Sequence, residues 1–133
     1  MKKFLQNNRW AVLWGLLIFV LTCVPGTVLP KLPSYIDLFQ PDKLVHTFIF
    51  AVFFFLLVRG FRKKGTPASV SRNAIILTFL ISLGVAGLTE LLQEFVIPKR
   101  VASPWDFIAN VAGCFLGWGV EGMWGRREVE RKT

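Results

Sequence analysis

The chain has 133 residues, 53% hydrophobic, 14% aromatic and 18% charged, with a net charge of +8 and a mean hydropathy of +0.52. That balance excludes an ordinary water-soluble domain, because the apolar residues fall in long runs nearly free of charge, as a lipid surrounding requires. It also argues against nucleic acid as a partner: the cations flank the apolar runs and are not interleaved with aromatic or glycine-rich recognition segments.

The first apolar run goes from Trp10 to Val24, ends at Pro25 and Gly26, and predicts a helix over about 10–27. Lys2, Lys3 and Arg9 before it also fit a secretory signal. The stretch Thr22-Cys23-Val24-Pro25-Gly26 is a poor cleavage site, so a retained helix is expected. The second run, about 43–58, carries Phe48, Phe50, Phe53, Phe54 and Phe55, bulky side chains all round the helix. The third covers about 74–96 and is stopped by Pro98. Pro104 lies in the first turn of the fourth, about 104–124, which gives way to Arg126 and Arg127. The reading is an all-α, polytopic membrane protein: one domain over 1–133, a bundle of about four transmembrane helices.

The flanks set the orientation. Lys2, Lys3 and Arg9, then Arg59, Arg62, Lys63, Lys64 and Arg72, then Arg126, Arg127, Arg131 and Lys132 fall on one side; Lys31, Lys43, Lys99 and Arg100 fall on the other. The richer side is expected to be cytoplasmic and to hold both termini, so the first and third connections face outward. The Arg59–Arg72 stretch is expected to be an ordinary linker against anionic headgroups. Glu121 is expected to pair with Arg126 or Arg127 near the inner surface. Cys23 and Cys114 read as small packing residues, neither near the Cys or His neighbours of a metal motif.

Polar pairs mark the outward helix ends. Asp42 and His46 are four apart, hence on one face, and Asp42 is placed to cap its helix. Glu90 precedes Pro98 by roughly 10 Å of helix, below the headgroup level, with Gln93 and Glu94 one turn on. Asp106 and Asn110 repeat the spacing of four. An ionisable group at mid-bilayer costs about 2.5 to 3.5 kcal/mol on insertion scales, so three such pairs on one side favour a shared site. Gly84 and Gly87, and Gly113 and Gly117, are expected to let neighbouring helices approach and cover these faces. A dimer through the Gly113 and Gly117 face is the alternative use of that stripe. Arg100 completes the group as the cation above the carboxylates.

The same residues resemble the VanZ-like family of small bacterial membrane proteins. The matching segments are Pro41-Asp42-Lys43-Leu44-Val45-His46; Glu90-Leu91-Leu92-Gln93 followed by Pro98-Lys99-Arg100 and Ser103; and Asp106-Phe107-Ile108-Ala109-Asn110-Val111-Ala112-Gly113 with Gly117 beyond. Thr22-Cys23-Val24-Pro25-Gly26 is a weaker match. The resemblance implies about four helices in the bacterial cytoplasmic membrane and a role in the cell envelope. The family takes its name from a protein associated with low-level resistance to the glycopeptide teicoplanin.

Three functions fit these residues. The leading one is an envelope protein whose outward polar site handles an anionic amphiphile, such as a lipid-linked wall precursor, a phospholipid or a lipoglycopeptide antibiotic. Lys43 and Arg100 would meet the acidic group, with Gln93, Ser103, Asp106 and Asn110 as further ligand-binding residues. The second is a membrane hydrolase or transferase on a lipid, with Asp42, His46 and Glu90 as catalytic acid and base groups and Arg100 stabilising a developing anion. No Ser, Cys or Thr stands in a nucleophile motif, so whether a reaction is catalysed stays open. The third is an interhelical lock built from the same residues. No cofactor is expected, and no metal, because one His with carboxylates from three helices is a weak ligand set. Membrane lipids are the expected partners, and the oligomeric state is open.

Overall fold

The computed structural model describes residues 6–22, 41–62, 70–97 and 103–131, apart from the side chains of Pro41, Asp42, Glu128 and Val129. Those residues are all-α. Helix α1 spans Arg9–Thr22, α2 Pro41–Phe61, α3 Arg72–Phe95 and α4 Pro104–Glu130. The expected boundary of the first helix beyond Thr22 lies outside the described residues. The others run longer than the sequence pattern predicted, chiefly at the charged ends: α2 takes in Arg59 and Gly60, α3 starts at Arg72, and α4 runs through Arg126 and Arg127. Flanking charges do not break a helix, and straight-chain Arg and Glu favour one. The apolar pattern ends before the hydrogen bonding does.

Helix starts follow local chemistry. Pro41 and Pro104 occupy first helical positions, where the missing N–H has no intrahelical partner to lose. The backbone of Asp42 lies in the first turn of α2; the capping role expected of its side chain lies outside the described residues. Ser71 caps α3, its hydroxyl oxygen accepting from the Ala74 N–H at 3.3 Å.

Helices α2 and α4 run parallel and form the closest pair. A Cβ at Gly113 would overlap the Thr47 carbonyl oxygen, and one at Gly117 would overlap that of Ala51. Small residues of this kind let two backbones touch. The Thr47 hydroxyl donates to the Ala109 carbonyl at 3.2 Å across the same seam. The Gly113 and Gly117 face is thus used inside the bundle, which removes it as a dimer surface. Helix α3 runs antiparallel to both, and an aromatic cluster joins the three: Phe54 and Phe79 have ring centroids 4.5 Å apart, and Phe79 and Phe115 5.1 Å. Helix α1 lies on α2, with Gly15 against the Phe53 ring and the Trp14 indole N–H donating to the Ile49 carbonyl at 2.9 Å.

Helix α3 turns its polar side inward. Its buried residues are Thr78, Ser82, Ala86, Thr89, Glu90 and Gln93, while Ile76, Leu77, Leu80, Leu88, Leu91 and Phe95 are exposed. Thr78 and Thr89 return their hydroxyls to backbone carbonyls of their own helix at 2.8 Å. In water this distribution would be upside down, since large apolar faces are normally the covered ones. Segments Lys43–Phe61 and Arg72–Phe95 are long and apolar enough to cross a membrane, and Arg9–Thr22 is a shorter apolar helix.

Gly84 and Gly87 do not fulfil the close-approach role expected of them. Nothing lies within 4 Å of a Cβ built on either. Glu90 is buried nonetheless, because the face covered by α2 and α4 is the Thr78, Ser82, Ala86, Glu90 row, one step of four at a time.

Candidate functional site

The start of α2, the end of α3 and the start of α4 meet at one end of the bundle. Five of the polar residues singled out from the sequence are buried there: His46, Glu90, Gln93, Asp106 and Asn110. Their helices fix this arrangement. His46 lies on the α2 face that meets α4, one position before the Thr47 seam contact. Asp106 and Asn110 are on the α4 face that continues into Gly113 and Gly117, so the close α2–α4 approach that the glycines permit also encloses the polar turn above them.

Two hydrogen bonds tie the elements together. Nδ1 of His46 is 3.0 Å from Oδ1 of Asn110, linking α2 to α4. With that oxygen as acceptor, Nδ1 is the donor of the bond. Oε2 of Glu90 accepts from the Ser103 backbone N–H at 3.2 Å, linking α3 to the residue before α4. Ser103 itself is N-terminal to Pro104, and its carbonyl accepts from the Asp106 and Phe107 amides. Glu90, Ser103 and Asp106 are thus joined through one helix start, and Asp106, Asn110 and His46 through one helix face.

Hydrogen-bonding capacity is left over at this end. Asn110 is fully buried, yet its Nδ2 has no hydrogen-bond partner. Gln93 and Asp106 are buried at the same end, 2% and 9% exposed. Buried polar atoms in folded proteins are nearly always paired, by protein or by water. The unpartnered Asn110 Nδ2 is a donor that a polar ligand or ordered water would satisfy.

The remaining sequence-nominated residues divide. Lys43 is half-buried, one turn before His46. The contacts of Asp42 and Arg100 lie outside the described residues, so the cation above the carboxylates is an expectation only. Glu94, one residue from Gln93, is exposed.

A second polar group, at the opposite end, was not foreseen. Arg62 Nη2 lies 2.8 Å from Glu121 Oε1, with side chains 15% and 8% exposed. Asn8, 2% exposed, packs its side-chain amide directly over Gly60, where any Cβ would collide with it. Glu121 therefore pairs with Arg62 across the α2–α4 seam and not with Arg126 or Arg127 of its own helix. The parallel packing decides this: Arg62 leaves α2 at the level of Glu121, while Arg126 and Arg127 are exposed one turn beyond. Arg62 is accordingly a buried packing residue, more than a member of a solvated linker. Spacing along one chain could not show it, because the partners are 59 positions apart. Cys114 is a free, fully buried thiol near the bundle's middle.

A model of the VanZ/LLP1 family matches residues 3–124. The chain belongs to the VanZ/LLP1 family. The match takes in the first three helices, α4 as far as Trp124 and both polar ends, including every residue of the segments Pro41–His46, Glu90–Gln93 and Asp106–Gly113. VanZ/LLP1 membership is consistent with a cell-envelope protein, and agrees with the two span-length apolar helices. No curated protein and no solved structure matches the chain.

Proposed function

We propose that this VanZ/LLP1 protein is a multi-pass protein of the bacterial cytoplasmic membrane, with both termini inside, whose extracytoplasmic end binds an anionic amphiphile. The observation that carries the reading is the fully buried Asn110 amide at the His46 end, whose Nδ2 has no hydrogen-bond partner. A purely structural cluster gains stability by closing its own hydrogen bonds, because a buried polar group left unpaired costs about 1 to 3 kcal/mol. A cluster that keeps such groups open is built for something that arrives. Exposed apolar side chains beside it, Leu44, Val45, Phe48, Leu91, Phe95, Trp105 and Ile108, offer acyl chains a continuous surface, and the Lys and Arg distribution supports the outward orientation.

In this reading Lys43 and Arg100 take the acidic group, and Gln93, Ser103, Asp106 and Asn110 take the polar part. A lipid-linked wall precursor, a phospholipid and a lipoglycopeptide antibiotic all have this chemistry. The glycopeptide resistance associated with the protein that gives the family its name favours a role in which occupancy of the site alters sensitivity to antibiotics acting at the outer membrane surface.

The competing reading, an interhelical lock, draws on the His46–Asn110 and Glu90–Ser103 bonds. The two separate in one experiment: His46→Gln, Glu90→Gln, Arg100→Gln and Asp106→Asn, each scored for membrane abundance and for envelope-antibiotic sensitivity in the same cells. Binding predicts normal abundance with altered sensitivity for Arg100→Gln and Asp106→Asn. Loss of abundance throughout the set would leave only the lock.

A further inference from the structure

Trp105 and Trp124 are both exposed on α4 and stand nineteen positions apart, about 28 Å along the axis. A bilayer's hydrocarbon core is about 30 Å thick, and tryptophan gathers at its two faces. In a membrane the two rings mark the two interfaces, Trp105 at the His46 end and Trp124 at the Arg62 end. Trp10, exposed at the start of α1, falls at the same end as Trp124.

Arginines are held at the depth of these inner rings. The Cζ of Arg59 lies 5.4 Å from the ring centroids of both Phe55 and Trp124, and those two rings meet edge to face at 6.3 Å. Arg9 lies 5.4 Å over Trp10 in the same way. Attraction to a ring face depends on the charge of a guanidinium and not on its five N–H donors, of which one carboxylate would take two. Arg62, by contrast, is turned to Glu121 inside the α2–α4 seam.

Depth and charge together select the partner. Of the sixteen Lys and Arg, twelve fall at this end of the chain's helices, against three of the eight Asp and Glu. With each of those carboxylates paired to a cation, a large positive excess still faces an anion from outside. A soluble acidic partner would first meet Arg126 and Arg127, exposed beyond Trp124, because α4 runs on to Glu130, about 9 Å further. At the level of the ring itself the abundant anion is the lipid phosphate.

Resting on the membrane-spanning part of the reading above, we infer that Arg59, Phe55 and Trp124 form a binding site for an acidic phospholipid of the leaflet at the Arg62 end. Arg59 donates to the phosphate oxygens, and Trp124 lies beside the glycerol and the upper acyl chain. This site is separate from the one proposed at the His46 end, about a membrane thickness away.

The test uses the full chain in phosphatidylcholine nanodiscs doped, at equal mole fraction, with phosphatidylglycerol or phosphatidylcholine brominated in the acyl chains. Bromine quenches tryptophan fluorescence on contact, and the signal of Trp124 is the difference between each protein and the same protein with Trp124→Phe. The expected result is that brominated phosphatidylglycerol occupies the Trp124 contact about fivefold more than brominated phosphatidylcholine, the worth of one cation at the membrane surface. Arg59→Met keeps an unbranched chain against the two rings; it should remove that preference and leave quenching by brominated phosphatidylcholine unchanged. Arg126→Gln combined with Arg127→Gln should reduce the preference less, and inorganic phosphate should not displace the lipid.

Equal quenching of Trp124 by the two brominated lipids overturns the site and leaves the membrane-spanning reading standing, whereas quenching by neither removes that reading as well. A preference that survives Arg59→Met, or is lost only with Arg126 and Arg127, also overturns the site, since the attraction would then belong to the diffuse charge of α4. Displacement by inorganic phosphate overturns the lipid assignment in favour of a soluble anion. Arg59→Gln gives the same readout should Arg59→Met fail to accumulate.

Discussion

The two ends of the bundle bury polar groups of different kinds. At the Arg62 end, Arg62 and Glu121 compensate each other at 2.8 Å across the α2–α4 seam, and the Asn8 amide closes over Gly60. At the His46 end two carboxylates, a histidine and two carboxamides are enclosed by the same helices, but their bonds, His46 to Asn110 and Glu90 to Ser103, leave Asn110 Nδ2 without a partner. The lesson is that burial alone does not mark a functional cluster. Opposite charges facing each other across the seam make a joint, whereas the His46 end gathers carboxylates and carboxamides, the arrangement on which the proposed binding role rests.

The largest effect should come from breaking what both ends share. Gly113→Val places a branched side chain against the Thr47 carbonyl and the Phe50 Cβ, and forcing α2 and α4 apart should cost about 3 kcal/mol or more, at the upper range for overpacking. Membrane abundance and thermal unfolding in detergent should both fall, and both ends should fail together. If Gly113→Val accumulates and unfolds like the unaltered protein, the α2–α4 seam does not have the central part given to it.

Next comes the Arg62 end. Glu121→Leu strands a nearly buried guanidinium, with an expected loss of roughly 2 to 3 kcal/mol, somewhat under the range for fully buried pairs because Arg62 keeps slight exposure. Combining it with Arg62→Met should restore most of the stability, which a double-mutant cycle on the unfolding midpoint would measure. Additive losses would mean that the pair is not a joint.

The His46 end should respond with the other sign. Asp106→Asn removes a carboxylate buried in the first turn of α4, and relief of its desolvation should exceed the lost helix-end attraction of about 0.3 to 1 kcal/mol, so the folded state should gain up to about 1 kcal/mol while ligand binding weakens. A loss of stability instead would make the two ends alike and return the cluster to the lock. The smallest effect serves as the neutral reference: Ser71→Ala deletes an exposed N-cap bond of 3.3 Å and should cost about 0.5 kcal/mol, the low end for caps, with no change in ligand binding.

Much of this contrast was legible in the sequence, and unevenly so. The four apolar runs, their ends at Pro41, Pro98 and Pro104, and the i to i+4 pairs that put Asp106 with Asn110 on one face are local facts of helix periodicity and turn chemistry. The role of Gly113 and Gly117 was legible for the same reason. Gly84 and Gly87 look identical in sequence and face open space, because a small residue permits a close approach without requiring one. Glu121 pointed to Arg126 and Arg127 by proximity along the chain, but the partner is Arg62, brought level only by parallel packing.

The sequence by itself determined the elements, the family and the list of polar residues too costly to bury without reason, since hydrophobic periodicity and desolvation act on each segment separately. Tertiary structure alone decided which of those residues meet, which close on each other and which remain open. Hydrogen bonds and ion pairs across helices depend on axial level and rotation, and those are set by the glycine seam between α2 and α4, not by any one segment.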